Sequence, residues 1–329
     1  TWSVAATPDR YSSLRESMEK ALEGKATLLY AQGCNVVYDE QEQKDGELGK
    51  TIARGDDAQM EAEALEVARQ ADVIVCAMGE TADMSGECAS RTDLRMPDAQ
   101  RHLLAKLVRT GKPIVLLNFS GRPTVLTWEQ EHLPAIMNVW FGGSEAADAI
   151  CDVIFGDKVP CGKLTASMPK TTGQEPLYYN HQNTGRPVPD DNPRFAKFAS
   201  NYLDVRNGAL YPFGYGLSYT TFEYGPLQIS ADHTATVRVT NTGSRAADEI
   251  VQLYIRDKVA SISRPVKELK AFRRIHLAPG ESQDVCFQIT PDMLKFYNAD
   301  LQYVLEPGEF DIMVGPNSRD TKNGTISVK

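Results

Sequence analysis

The sequence predicts an α/β domain built on a largely parallel sheet, followed by an all-β sandwich. Three observations predict it. Short apolar runs alternate with helical patterns through the first half of the chain, the rhythm of βαβ units and of a parallel sheet covered on both faces. Beyond Phe222 the apolar period drops to two, with turns at Asn241-Thr242-Gly243, Pro279-Gly280 and Pro307-Gly308, as short antiparallel strands require. The 329 residues are too many for one small domain and suit two, each with its own core. The expected division is 1–221 for the α/β domain, including a long loop region over 156–221, and 222–329 for the sandwich.

Element by element, a helical pattern runs from near Pro8 to Leu22 and a strand is expected at Thr27–Ala31. A helix follows from Asp57 to Ala71, then a buried strand from Asp72 to Met78. Pro97 opens the next helix, because proline's missing N–H costs nothing in a first turn, and Gly111 stops it after Arg109. Pro113–Phe119 is the following strand. After Gly121-Arg122-Pro123 come a short helical piece and the strand Ala135–Phe141, and Gly142-Gly143-Ser144-Glu145 then caps a helix to Phe155. The loop region that follows is too long to be an idle connector. Its aromatics, among them Tyr178, Tyr179, Phe195, Tyr202 and Tyr211, argue for a packed surface scaffold and against disorder. In the sandwich, Ala235–Asn241, Ile250–Arg256, Glu309–Gly315 and Gly324–Val328 read as strands.

A hydrophobic content of 42% with 24% charged residues is ordinary for a globular chain. No apolar run reaches the roughly eighteen residues that a membrane span needs, so no membrane partner is expected. The 35 basic and 44 acidic residues give a net charge of −9, which repels phosphate backbones and argues against nucleic acid. Six cysteines show neither C-x-x-C spacing nor a His/Cys cluster, so no metal is expected. Cys76, Cys151 and Cys286 lie in apolar segments and read as buried thiols, while Cys88 has a polar setting; disulfides stay open. The first residues lack the basic and apolar regions of a signal peptide and show no initiator Met, so the chain is expected to be a processed product or a fragment.

The densest chemistry lies in Gly79–Pro97, a polar loop after an apolar strand that holds Glu80, Ser85, Glu87, Ser90, Arg91 and Asp93. In open α/β sheets, ligands gather beyond the carboxyl ends of strands. Hydrolysis of a glycosidic bond needs two carboxylates, and Glu80 and Glu87 are the pair present. Holding both at the roughly 5 Å of a retaining pair within one loop is unusual, so one of them working with a carboxylate elsewhere is the better reading. Other motifs are weaker. Gly142-Gly143-Ser144-Glu145 lacks the glycine pattern and lysine of a nucleotide loop, which leaves no cofactor motif. His181 among tyrosines reads as structural, and the glycosylation matches at Asn118 and Asn323 read as chance.

Several segments, in order, resemble glycoside hydrolase family 3, in its bacterial periplasmic β-glucosidase branch. They are Ser85-Gly86-Glu87 with Ser90–Pro97, Gly111–Val115 with Gly121-Arg122-Pro123, Gly156–Leu164, Tyr179–Pro187, Tyr211–Phe222 and Ser263–Lys267. The resemblance implies an α/β sandwich followed by a fibronectin type III-like domain, preceded in the family by a (β/α)₈ barrel that this chain lacks. It implies that the barrel carries the nucleophilic Asp, and that Glu87 is the acid/base of a retaining exo-acting β-glycosidase, with Glu80 as runner-up. Arg91 and Ser85 are the implied substrate contacts, Glu87 is expected to be exposed here, and the chain alone is expected to be inactive. No cofactor is implied. The implied substrate is a terminal β-linked sugar of an oligosaccharide or β-glucoside, with β-xylosidase as the alternative among enzymes and a non-catalytic carbohydrate-binding module as the alternative outside them. The implied location is the periplasm or the cell exterior.

Overall fold

A computed structural model describes residues 11–45, 54–81, 84–190, 192 and 195–329, with two compact units: 1–158 with 170–173, and 159–169 with 174–329. Residues 174–221, grouped above with the α/β domain, pack with the β-rich unit.

In the first unit, Ser13 caps α1 (Leu14–Leu22): its hydroxyl accepts from Glu16 N at 3.2 Å, and the Glu16 carboxylate accepts from Ser13 N at 2.7 Å. After α2 (Glu40–Asp45), Asp56 caps α3 (Asp57–Gln70) through Gln59 N at 2.8 Å. The sheet is parallel, in the order β1 (Ile74–Gly79), β2 (Ile114–Phe119), β3 (Ala135–Asn138). Between these strands run α4 (Asp98–Val108), which begins after Pro97, and α5 (Thr127–His132); α6 (Ala146–Ile154) follows β3. Leu103, Leu104 and Leu107 of α4 recur at helical spacing and pack with Ile114, Leu116 and Cys76 of the sheet. At roughly 1.5–3 kcal/mol per buried side chain, such a face outweighs the helix's own propensity.

This unit departs from expectation at several points. Thr27–Ala31 forms no strand: no described residue pairs with it, and Leu29 and Tyr30 are exposed, so an apolar run without a ladder stays irregular. The third strand ends at Asn138 and not at Phe141, because Trp140 turns to φ 52 after Val139 N makes a last bond to Asn118 O at 3.0 Å. The N-cap of α6 is Glu145, and no side chain caps it.

In the second unit, one four-stranded sheet runs β13 (Lys322–Val328), β12 (Gly308–Gly315), β7 (Ala247–Asp257), β8 (Glu268–Leu277). The other contains β4 (Phe222–Tyr224), β6 (Thr234–Asn241) and β5 (Gln228–Ile229), with β9 (Ser282–Gln288) also on β6. All these pairs are antiparallel. Alternate residues Ala235, Val237 and Val239, with Phe287 beside them on β9, pack with Val251, Leu253, Ile255 and Phe310 in one core, the period-two pattern made physical. A short helix, α7 (Pro291–Leu294), leads to the two-residue strands β10 (Phe296–Tyr297) and β11 (Tyr303–Val304). The aromatic segment before β4 is tied in by Tyr179, which stacks on Phe213 at 4.2 Å and accepts a bond from Leu269 N at 3.2 Å.

All six cysteines are free thiols. Cys286 is exposed, against the sequence reading, because it falls on the outward face of β9 between buried Val285 and Phe287. No helix among the described residues is long and apolar enough to cross a membrane.

Candidate active-site loop

The loop starts where β1 must stop. Gly79 lies at φ 136, and a Cβ there would sit 1.8 Å from the Phe119 carbonyl oxygen, so only glycine fits beside the end of β2. Gln100 on α4 fixes this exit: its Oε1 accepts from Gly79 N at 2.7 Å, and its Nε2 donates to Gly79 O at 2.9 Å. Glu80 N then donates to Phe119 O at 2.8 Å, which turns the Glu80 side chain inward.

Glu80 is buried, at 7% exposure, and is surrounded by donors. Arg122 Nε lies 3.1 Å from its Oε1 and 3.2 Å from its Oε2; Arg91 Nη1 lies 3.4 Å from Oε1, and the Ser120 hydroxyl 3.0 Å from Oε2. The cations continue outward. Arg122 Nη2 donates to the carbonyl oxygens of Met84 at 2.5 Å and Ala89 at 2.7 Å, on either side of Glu87. Arg91 Nε donates to Asp93 O at 3.1 Å. The next turn is held by Arg95, which grips the Asp93 carboxylate at 2.6–3.0 Å and holds its pKa down to about 2. Leu94 is stapled on both sides, donating to Thr172 Oγ1 at 3.1 Å and accepting from Val125 N at 2.9 Å.

Glu87 is exposed, as expected, and bonds to no described residue. It occupies a turn between Gly86 at φ 117 and Cys88 at φ 60, the latter a left-handed conformation that costs a non-glycine residue about 1–2 kcal/mol. Strained backbone of this kind collects at functional loops. Ser85 is half-buried and packs so closely on Gly121 that a Cβ at 121 would lie 1.9 Å from its Oγ.

The structure therefore brings Glu80 and Arg91 together and leaves Glu87 exposed at the tip, with no partner among the described residues. The Glu80 oxygens are spent on guanidinium and hydroxyl donors, whereas Glu87 has no partner among the described residues to lose when it meets a ligand. Sequence reading did not anticipate the part played by Ser120, Arg122 and Gln100. A usable signal was present: an inward glutamate after a buried strand demands cations, and Arg122 stands just past the end of the neighbouring strand.

Of the weaker motifs, Asn118 is fully buried and donates to Thr124 Oγ1 at 3.0 Å and Asn138 Oδ1 at 2.8 Å, which closes it to glycosylation. His181 is exposed and donates from Nδ1 to Gln182 O at 3.1 Å, within the β-rich unit. No group of three His, Cys, Asp or Glu side chains able to hold a metal occurs among the described residues.

Comparison with known proteins shows the family. Residues 1–219 match the model for the glycosyl hydrolase family 3 C-terminal domain, and 249–318 match that for a fibronectin type III-like domain. A periplasmic beta-glucosidase of Salmonella typhimurium is 41% identical over 338 residues, covering 100% of this chain and 44% of the relative. A beta-xylosidase of Formosa agariphila is 36% identical over 98% of this chain and 42% of its own. Among solved structures, a β-glucosidase from Erythrobacter marinus superposes with a TM-score of 0.83 at 33% identity, covering 96% of this chain and 43% of that one. The chain thus spans less than half the length of these relatives.

Proposed function

Because the chain belongs to glycoside hydrolase family 3, we propose that it is the acid/base-bearing part of a retaining exo-acting β-glycosidase, acting on terminal β-glucosides, with Glu87 transferring the proton. The observation that carries the reading is the exposed carboxyl of Glu87, without a partner among the described residues, at the tip of a turn whose two flanks are fixed by Arg122. A general acid must reach the leaving oxygen of a substrate, protonate it, and then take a proton from the water that frees the sugar. Glu87 is placed to reach outward, and Glu80 is not.

The nucleophile and most sugar contacts lie, on this reading, in a (β/α)₈ barrel outside these residues. A β-glucoside is the preferred substrate because a relative that covers the whole chain is named a β-glucosidase, and the β-xylosidase relative marks the alternative sugar. The periplasm follows as the proposed location from the printed name of the Salmonella relative.

The test uses the product of the complete reading frame beside the present chain. Only the longer product should hydrolyse aryl β-glucosides. Its Glu87→Gln form should lose activity on substrates with poor leaving groups, keep glycosyl-enzyme formation with dinitrophenyl leaving groups, and regain turnover with azide, which needs no base. Full activity of Glu87→Gln on a poor leaving group would sink the assignment.

A further inference from the structure

The β-rich unit contains a cavity of about 420 Å³, within the roughly 300–1,000 Å³ in which proteins hold small molecules. Every residue lining it belongs to that unit, so it owes nothing to the Glu87 loop. Two of its tyrosines are open to solvent, Tyr178 at 61% and Tyr202 at 41% exposure, and offer flat apolar rings. A third, Tyr179, is held by its stack on Phe213 and its bond from Leu269 N, so that part of the wall is preformed.

The polar side of the cavity is unbalanced. Lys267 is half-buried, and its ammonium donates to Ser318 O at 2.6 Å. No described carboxylate lies within ion-pair distance of it, and two of its three donors have no described partner. Burial pushes its pKa down; Asp190, farther off, opposes that shift, and Arg256 adds to it. Arg319 lines the same cavity and donates to Ala209 O at 3.4 Å, a long bond that leaves most of its fork free. Ser167 is 8% exposed, and its hydroxyl bonds to no described residue. Among the described residues lining the cavity, the cations Lys267 and Arg319 accompany one carboxylate, Asp190, in a chain whose net charge is −9. A half-buried ammonium with no described carboxylate in ion-pair range costs free energy that an entering anion returns.

We propose that this cavity binds a hexuronate-like ligand, a single sugar ring bearing a carboxylate, with the carboxylate on Lys267 and Arg319 and the ring against the tyrosines. The carboxylate satisfies the fork and the ammonium together. The ring's apolar face suits Tyr178 or Tyr202, and its hydroxyls reach Ser167.

Calorimetric titration of the present chain with glucuronate, glucose and acetate tests this directly. Glucuronate should saturate the site, with glucose and acetate each weaker by roughly tenfold or more, and added salt should weaken it. Lys267→Met and Arg319→Ala should each reduce glucuronate affinity by about tenfold or more. Arg319 is exposed, so its variant keeps the test valid if Lys267→Met fails to fold. No saturation by glucuronate overturns the proposal, as does equal binding of glucose, equal binding of acetate, or unchanged affinity in Arg319→Ala. The assignment is independent of the hydrolase reading, because no glycosidic bond is cleaved in any arm.

Discussion

The Arg122 guanidinium and the Glu80 carboxylate lie 3.1 Å apart, Nε to Oε1, with side chains only 19% and 3% exposed. This buried pair joins the ends of two parallel strands and passes its hold to the loop through the carbonyls of Met84 and Ala89. Breaking a buried pair from one side leaves an uncompensated charge, at a cost of about 3–5 kcal/mol. Removing Glu80 abandons two guanidinium groups, whereas removing Arg122 leaves Glu80 its contact with Arg91. Glu80→Ala should therefore lower stability by about 3–5 kcal/mol, and Arg122→Ala by less. Urea unfolding of the two variants gives the order, and a fully stable Glu80→Ala would contradict the anchoring role.

The contact between Gly121 and Ser85 predicts a compensating pair. A Cβ at 121 would lie 1.9 Å from Ser85 Oγ, 2.7 Å from Ser85 Cβ and 2.9 Å from a ring carbon of Phe141. Gly121→Ala should cost about 1–3 kcal/mol, the usual toll of overpacking. Adding Ser85→Gly removes the nearest atoms and should restore part of that loss. Thermal unfolding of the single and double variants checks this, and additive losses would show that Phe141 or the backbone sets the limit.

The cysteines should separate by environment. Burial pushes Cys76 up to about 12 and Cys34 up to about 11, and it also raises Cys151, while Cys88 and Cys286 are exposed. Alkylation of the native chain, read by peptide mass spectrometry, should label Cys88 and Cys286 well before Cys76. The same shifts fix a pH dependence. Unfolded thiols ionise near about 8.5, so the neutral folded forms stabilise fully below that pH, and this share is lost as pH rises toward the folded values. Stability should fall on the alkaline side, and Cys76→Ala should flatten the fall. A rise in stability above pH 9 would contradict it.

Much of this was legible in the sequence, for identifiable reasons. Leu103, Leu104 and Leu107 mark their helix because burial selects apolar residues at a helical period, and Ala235, Val237 and Val239 mark their strand at a period of two. Thr27–Ala31 misled because apolar content says nothing about whether a neighbouring strand exists to pair with. Cys286 misled because in a strand the face, and not the neighbourhood, decides burial. Glu87 stands out within its loop as a motif, but the division of labour with Glu80 does not. That division depends on Arg122 and Ser120, some forty residues away in sequence, reaching Glu80 across the strand ends.

This division gives the final prediction, for the complete gene product. Glu87 is exposed and bonds to no described residue, so Glu87→Gln should leave stability within about 0.5 kcal/mol of the parent. If it transfers the proton, its loss should cost about 10²–10⁴ in turnover of substrates with poor leaving groups, and the acidic or basic limb it contributes to the pH profile should vanish. Glu80→Gln should behave differently. It keeps the shape of the side chain but removes the charge that holds Arg91 and Arg122, so stability and turnover should fall together while the pH profile keeps its form. Measuring unfolding and the pH–rate profile on both variants separates the roles. A Glu80→Gln enzyme that loses a limb of the profile at unchanged stability would transfer the proton assignment from Glu87 to Glu80.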